Sequence, residues 1–123
     1  ARMLYIQNQN VIYPIQCAKV SHILASNRSM EVCLNNGGKY PVRYVTLQQL
    51  LEAADVWYFL QCSRSGIINA NYVRNIDYTN RVITMCNSDQ IAIGSTYVRS
   101  LHEQFPTMQE LWQRRQNRCM FFE

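Results

Sequence analysis

Phe59-Leu60-Gln61-Cys62-Ser63-Arg64-Ser65-Gly66-Ile67-Ile68-Asn69 places a short polar segment between two apolar runs. The aromatic and apolar stretch Trp57 to Cys62 predicts a strand or a buried extended segment, and Ile67-Ile68 is expected to be buried after it. Ser63-Arg64-Ser65-Gly66 then reads as a loop carried on a rigid strand scaffold. It presents one guanidinium and two hydroxyls. Arginine pairs bidentately with phosphate or with the guanine edge, and hydroxyls bond either, so the group suits a nucleic-acid contact. Simpler roles stand beside that one: Ser65 as a turn-forming hydroxyl, Asn69 and Asn71 as caps of local backbone.

Working outward, the first half reads as β. Met3 to Gln7 and Val11 to Ile15 flank the turn Asn8-Gln9-Asn10, as in a hairpin. Lys19 to Ala25 and Met30 to Leu34 flank Ser26-Asn27-Arg28-Ser29. Asn35-Asn36-Gly37-Gly38 is a turn signal before a strand from Lys39 to Tyr44, and Pro41 predicts an edge position for it. A helix follows. Thr46 and Gln49 have capping-box spacing, and Leu47, Leu50 and Leu51 form one apolar face, with Asp55 near the end.

Downstream of the loop, Tyr72 to Tyr78 is a strand with Val73 and Ile76 out of phase, as a bulge would produce. Thr79-Asn80 turns into a return strand from Arg81 to Cys86. Asn87-Ser88-Asp89 turns again into Gln90 to Ile93. Ser95 is expected to cap a helix through Val98, Leu101 and Phe105, and Pro106 ends it. Thr107 and Glu110 open a last helix bearing Met108, Leu111, Trp112 and Arg114-Arg115. The fold class expected is therefore mostly β: antiparallel sheets of eight or nine short strands, one short central helix and C-terminal helices. The 123 residues make one domain, with a core from about residue 4 to 105 and a helical extension from 106 to 123.

Composition narrows the function. Apolar residues are 48% and charged residues 16%, which excludes a disordered tail or a coiled coil. No apolar run nears the ~20 residues that span a bilayer, and no apolar leader follows Ala1-Arg2-Met3, so a cytoplasmic location is expected. A net charge of +4, from basic residues that are nearly all arginine, permits nucleic-acid binding. The five cysteines, at 17, 33, 62, 86 and 119, include no C-x-x-C pair, so neither a zinc site nor a disulfide framework is expected. Cys17, Cys33, Cys62 and Cys86 read as small buried hydrophobes. His22 and His102 lack metal-like companions. No nucleophile elbow, P-loop, dinucleotide fingerprint or spaced carboxylate pair occurs, so no enzyme activity, cofactor or small-molecule substrate is expected.

The segment Phe59 to Asn69 resembles the signature of the LytTR family of bacterial DNA-binding domains. Thr46-Leu47-Gln48-Gln49-Leu50 is similar to the helix motif of that family. Tyr72 to Cys86 is similar to its hairpin, and Ile91-Ala92-Ile93-Gly94-Ser95-Thr96-Tyr97 to its closing motif. The resemblance covers roughly Leu4 to Phe105. It implies sequence-specific binding of duplex DNA by loops of a β scaffold, as a transcription regulator or the output domain of a two-component response regulator. It implies a homodimer on paired repeats, controlled by a receiver or membrane segment elsewhere. Three contact regions carry over: Asn27 and Arg28; Ser63, Arg64 and Ser65; and Ser95 and Thr96, with Tyr97 and Arg99 near. The chain departs from the family at three places. Ser63 stands where the family usually has histidine, Gln61 where it often has arginine, and Gly94-Ser95-Thr96 where Ser-Arg is usual. Each charge-assisted interaction that these replacements remove lowers affinity by ~1–3 kcal/mol. The departures also leave open a second reading, a LytTR-like fold that serves as a protein-interaction module without binding DNA.

Overall fold

The computed structural model describes residues 2–27 and 29–122, with side chains as far as residue 118. Its ten strands form three antiparallel sheets. Strands β1 (Met3–Asn8) and β2 (Val11–Gln16) make a hairpin closed by the two-residue turn Gln9-Asn10. Five strands make the main sheet: β3 (Val20–Ser26), β4 (Ser29–Leu34), β5 (Lys39–Val42), β6 (Phe59–Ser63) and β7 (Gly66–Asn69), in the order β5-β4-β3-β7-β6. The third sheet holds β8 (Val73–Asp77), β9 (Val82–Met85) and β10 (Gln90–Ala92). Helix α1 (Leu47–Ala54) links β5 to β6, while α2 (Val98–Gln104) and α3 (Met108–Phe122) follow the last strand.

Pro41 sits on β5, an edge of the main sheet, where its missing N–H leaves no ladder bond unmade. The expected bulge in β8 is present as a register shift between Val73 and Asn75. The α1 capping box is complete: Thr46 Oγ1 accepts from Gln49 N at 3.1 Å, and Gln49 Oε1 accepts from Thr46 N at 3.0 Å. Asp55 ends the helix in the left-handed region, φ 49°.

Strand β7 organises the interior. All four of its residues are buried, and because side chains alternate across a strand, Ile67 and Ile68 enter different cores. Ile67 joins Ile23, Val32, Leu50 and Phe59 in a core beneath the hairpin and α1. Ile68 joins Cys62, Ile83, Met85 and Leu101 in a core against the third sheet and α2. A strand buried on both faces carries an unbroken apolar run rather than an alternating one. Asn69 closes the strand by donating to Val20 O at 2.8 Å and accepting from Asn71 N at 2.9 Å. The local cap expected of Asn69 is thus present, joined by a long-range tie to β3.

Four readings of the sequence need correction. Residues Cys17–Lys19 form a 3-10 turn, so β3 begins at Val20. The strand begun at Lys39 stops at Val42, because Tyr44 takes a left-handed backbone, φ 66°, that breaks the ladder. Ser95 does not cap a helix. Ser95–Tyr97 is a 3-10 turn without a side-chain cap, and α2 starts at Val98 with Tyr97 at its N-cap. Cys86 is exposed, since β9 ends at Met85 and Cys86 falls in the following turn.

Candidate nucleic-acid interface

The loop of the signature is a two-residue turn. Ser63 pairs with Gly66 across it, and a register shift between Gln61 and Ser63 places a bulge at its base. The turn is held from within. Ser63 Oγ accepts from Ser65 N at 3.2 Å, and Gln61 Nε2 donates to Ser63 O at 3.0 Å. It is also held from outside, because Ala25 N donates to Ser65 O at 2.8 Å, fastening it to β3. Gly66 is required by close approach: a Cβ there would lie 3.1 Å from both Cys62 Sγ and Ser63 Oγ. Arg64 projects from this fixed base, exposed, and its guanidinium makes no hydrogen bond or ion pair among the described residues.

The turn is the meeting point of the expected regions. On one side, Asn27 and Arg64 line a shared groove of about 270 Å³. On the other, Gly94 N donates to Cys62 O at 2.9 Å, and a Cβ on Gly94 would stand 3.4 Å from Ser63 Cα. Gly94 therefore lets the closing segment lie against β6. That seats Ser95 and Thr96, both exposed, beside Ser63, with Tyr97 half-buried over Gly94. Arg99 is exposed in the first turn of α2. Arg28 lies outside the described residues. Asn27 stands exposed in the β3–β4 turn, whose base is closed by the Ser26 and Ser29 hydroxyls 2.9 Å apart.

Two residues of the groove were absent from the sequence reading. Arg43 and Tyr44 form its wall in the link from β5 to α1. Tyr44 is 99% exposed, with φ 66°. A bulky residue held left-handed and offering its whole ring to solvent is an outlier of the kind that collects at functional sites. The only signal in the sequence is an Arg-Tyr pair after an edge proline, and what aligns it with Arg64 is packing between segments far apart in the chain. Arg43 and Arg64 thus face one groove whose lining side chains include no carboxylate. Two like charges over one concave surface focus a positive potential there.

Other arginines are engaged elsewhere. Arg2 pairs with Asp55 at 2.9 Å, and Arg74 donates to Cys86 O at 2.6 Å. Arg114 reaches the carbonyls of His102 and Glu103 at the end of α2. Trp112 is exposed on α3, and the side chains of Phe121 and Phe122 lie outside the described residues. Burial pushes the Cys62 thiol up to about 11, so it stays protonated and inert despite its place beside the turn. His22 is walled in by Ser21, whose Oγ lies 2.9 Å from Nδ1, and by Asp89, 3.5 Å from Nε2. His102 stacks on Tyr78 with centroids 3.7 Å apart. Its Nδ1 lies 2.9 Å from Glu110 Oε1 without hydrogen-bond alignment. No cluster of metal-ligating side chains occurs among the described residues. No helix among them is long and apolar enough to cross a membrane.

Comparison with known proteins agrees with this fold. The family model of the LytTr DNA-binding domain matches residues 10–106. Among solved structures, the LytTr DNA-binding domain of a putative methyl-accepting/DNA response regulator from Bacillus cereus is similar, with a TM-score of 0.71 and 18% sequence identity. The match covers 87% of this chain and 99% of that one. No curated protein matches significantly.

Proposed function

The chain belongs to the LytTR DNA-binding domain family, and from that premise we propose that it binds duplex DNA sequence-specifically through the three regions gathered at the Arg64 turn. The observation that carries the proposal is the groove beside that turn. Arg43 and Arg64 line it with Asn27, no carboxylate does, and neither guanidinium is spent on a partner among the described residues. Arginines in this position neutralise phosphates and release counterions, which supplies affinity. Discrimination comes from side chains that reach base edges. Arg64, standing on the turn, is assigned that role, with Ser63, Ser65, Ser95 and Thr96 as hydroxyl partners and Tyr97, Arg99, Arg43 and Tyr44 flanking them.

The solved relative named as a response regulator supports a place as the output domain of a regulator of transcription, acting in the cytoplasm. The family supports binding of paired repeats as a homodimer, under a receiver or membrane segment. The fixed turn and the shared basic groove argue against the reading as a purely protein-binding module, since an apolar interface has no use for converging unpaired arginines.

The test begins with selection of bound sequences from a random duplex pool, followed by fluorescence anisotropy over a range of salt. Arg64→Ala is expected to weaken binding of the selected duplex by ~1–3 kcal/mol and to relax preference at one position. Arg43→Ala is expected to weaken binding of selected and scrambled duplexes alike and to lower the salt slope by about 1. Salt-insensitive binding, or wild-type binding by Arg64→Ala, would overturn the assignment.

A further inference from the structure

A second concavity, of about 720 Å³, lies between β1, α1 and the link from β5 to α1. Every residue from Met3 to Gln9 lines it, so it runs along an edge of β1 rather than one of its faces. β1 pairs only with β2 among the described residues. The phase of that ladder shows which backbone groups are left over. Cys17 N donates to Arg2 O at 3.0 Å, which makes Arg2–Cys17 a hydrogen-bonded pair in the register that puts Leu4 opposite Ile15. In an antiparallel ladder bonded pairs alternate. Leu4, Ile6 and Asn8 therefore bond β2, and Met3, Tyr5 and Gln7 turn their N–H and C=O groups into the cleft. Among the side chains lining the cleft, Arg43 alone is charged, and it makes no ion pair among the described residues.

We infer that this cleft takes an extended segment of a partner protein, which adds as a strand to the free edge of β1. Main-chain groups of the segment satisfy those of Met3, Tyr5 and Gln7, as in strand addition generally. Its alternate aliphatic side chains lie against Leu50 and Ala53 of α1, and one acidic side chain pairs with Arg43. The six residues of β1 span about 20 Å, room for a segment of similar length. β1 precedes residues 10–106, the part that matches the family model, so the cleft is built with a strand outside that match. The inference shares Arg43 with the proposed DNA groove, so its readout contains no DNA and its main test rests on the β1 backbone.

The experiment uses the full chain and a capped hexapeptide of alternating valine and threonine with one central aspartate. Amide hydrogen exchange is followed by NMR. Exchange is expected to slow at Met3, Tyr5 and Gln7 and to stay unchanged at Leu4, Ile6 and Asn8. Tyr5→Pro removes a donor that points away from β2 and also fixes φ there, so its fold is checked by the unchanged Leu4, Ile6 and Asn8 amides. It is expected to bind about tenfold more weakly, while Tyr5→Val binds as the wild type does. Arg43→Gln weakens binding of the aspartate peptide and leaves that of an asparagine version unaffected. Unaltered exchange at the three amides with about 1 mM peptide overturns the inference. So does equal binding of a peptide N-methylated at alternate residues. The same protection pattern arising without peptide, from a concentration-dependent dimer, would assign the edge to a second copy of the chain and overturn it too.

Discussion

His22 illustrates how a residue outside the proposed interface still fixes the fold. Its side chain is 2% exposed on β3, and burial pulls the imidazole below its ordinary value of 6.5. Asp89 and Glu31 push the other way and Lys39 adds to the lowering, but burial is the largest effect. A lowered value means that the unfolded chain binds the proton more readily than the folded one. The stability that His22 contributes is then complete above about pH 6.5 and is lost as pH falls towards the folded value. Urea unfolding at about pH 7.5 and about pH 5 should show a lower midpoint in acid, and His22→Gln should flatten that dependence. An unchanged slope in the variant would show that carboxylates carry the effect instead. Residues of this kind were only half legible. His22 was recognisable as a histidine without ligand companions, but its partner Asp89 lies in a distant turn that only the folded chain brings near. The placement of Arg43 and Tyr44 was not legible for the same reason, together with a left-handed φ that no property of tyrosine announces.

Elements were more readable, because their signals are local. The Thr46–Gln49 box, the proline on β5 and the turn after β1 each act within a few residues, and each stands where the sequence put it. Ser95 failed as a cap because a 3-10 turn came first, docked through Gly94 onto β6, and that docking overrides local preference. The β6–β7 hairpin combines both kinds of signal. Its polar centre is visible in the sequence, but the demand for glycine at 66 comes from the close approach of Cys62 Sγ, which is fully buried. Gly66→Ala is therefore expected to destabilise the domain by about 1–3 kcal/mol and to reduce DNA affinity as the turn shifts. Urea denaturation beside anisotropy checks both. Undiminished stability would mean that the approach at Gly66 relaxes freely.

For the whole molecule, the decisive fact is that β7 serves two cores at once. Ile67→Ala and Ile68→Ala open cavities on opposite faces of one strand, and each should destabilise by about 2–5 kcal/mol. Both variants should still unfold in a single transition, with the methyl signals of Ile23 and Ile83, one in each core, disappearing at the same urea concentration. Separate midpoints would show that the third sheet and α2 form an independent unit. Two cores were not foreseeable from strand patterns alone. The run Ile67-Ile68 announced burial, but which neighbours would cover each face depends on the order β5-β4-β3-β7-β6, set by pairings between residues far apart in the chain.

Because the Arg64 turn is fastened to β3 and rises from the strand with the deepest burial, the proposed contact would be made by a backbone that is already ordered. Fixing a free loop costs about 1–2 kcal/mol per residue in backbone entropy. For Ser63, Arg64 and Ser65 that amounts to roughly 3–6 kcal/mol that folding has already met. Within the turn, the largest freedom that binding must still restrict is the rotamer freedom of Arg64, about 2 kcal/mol. On the proposed reading, the backbone order of this turn offsets part of the affinity that serine and threonine in place of charged side chains would forgo.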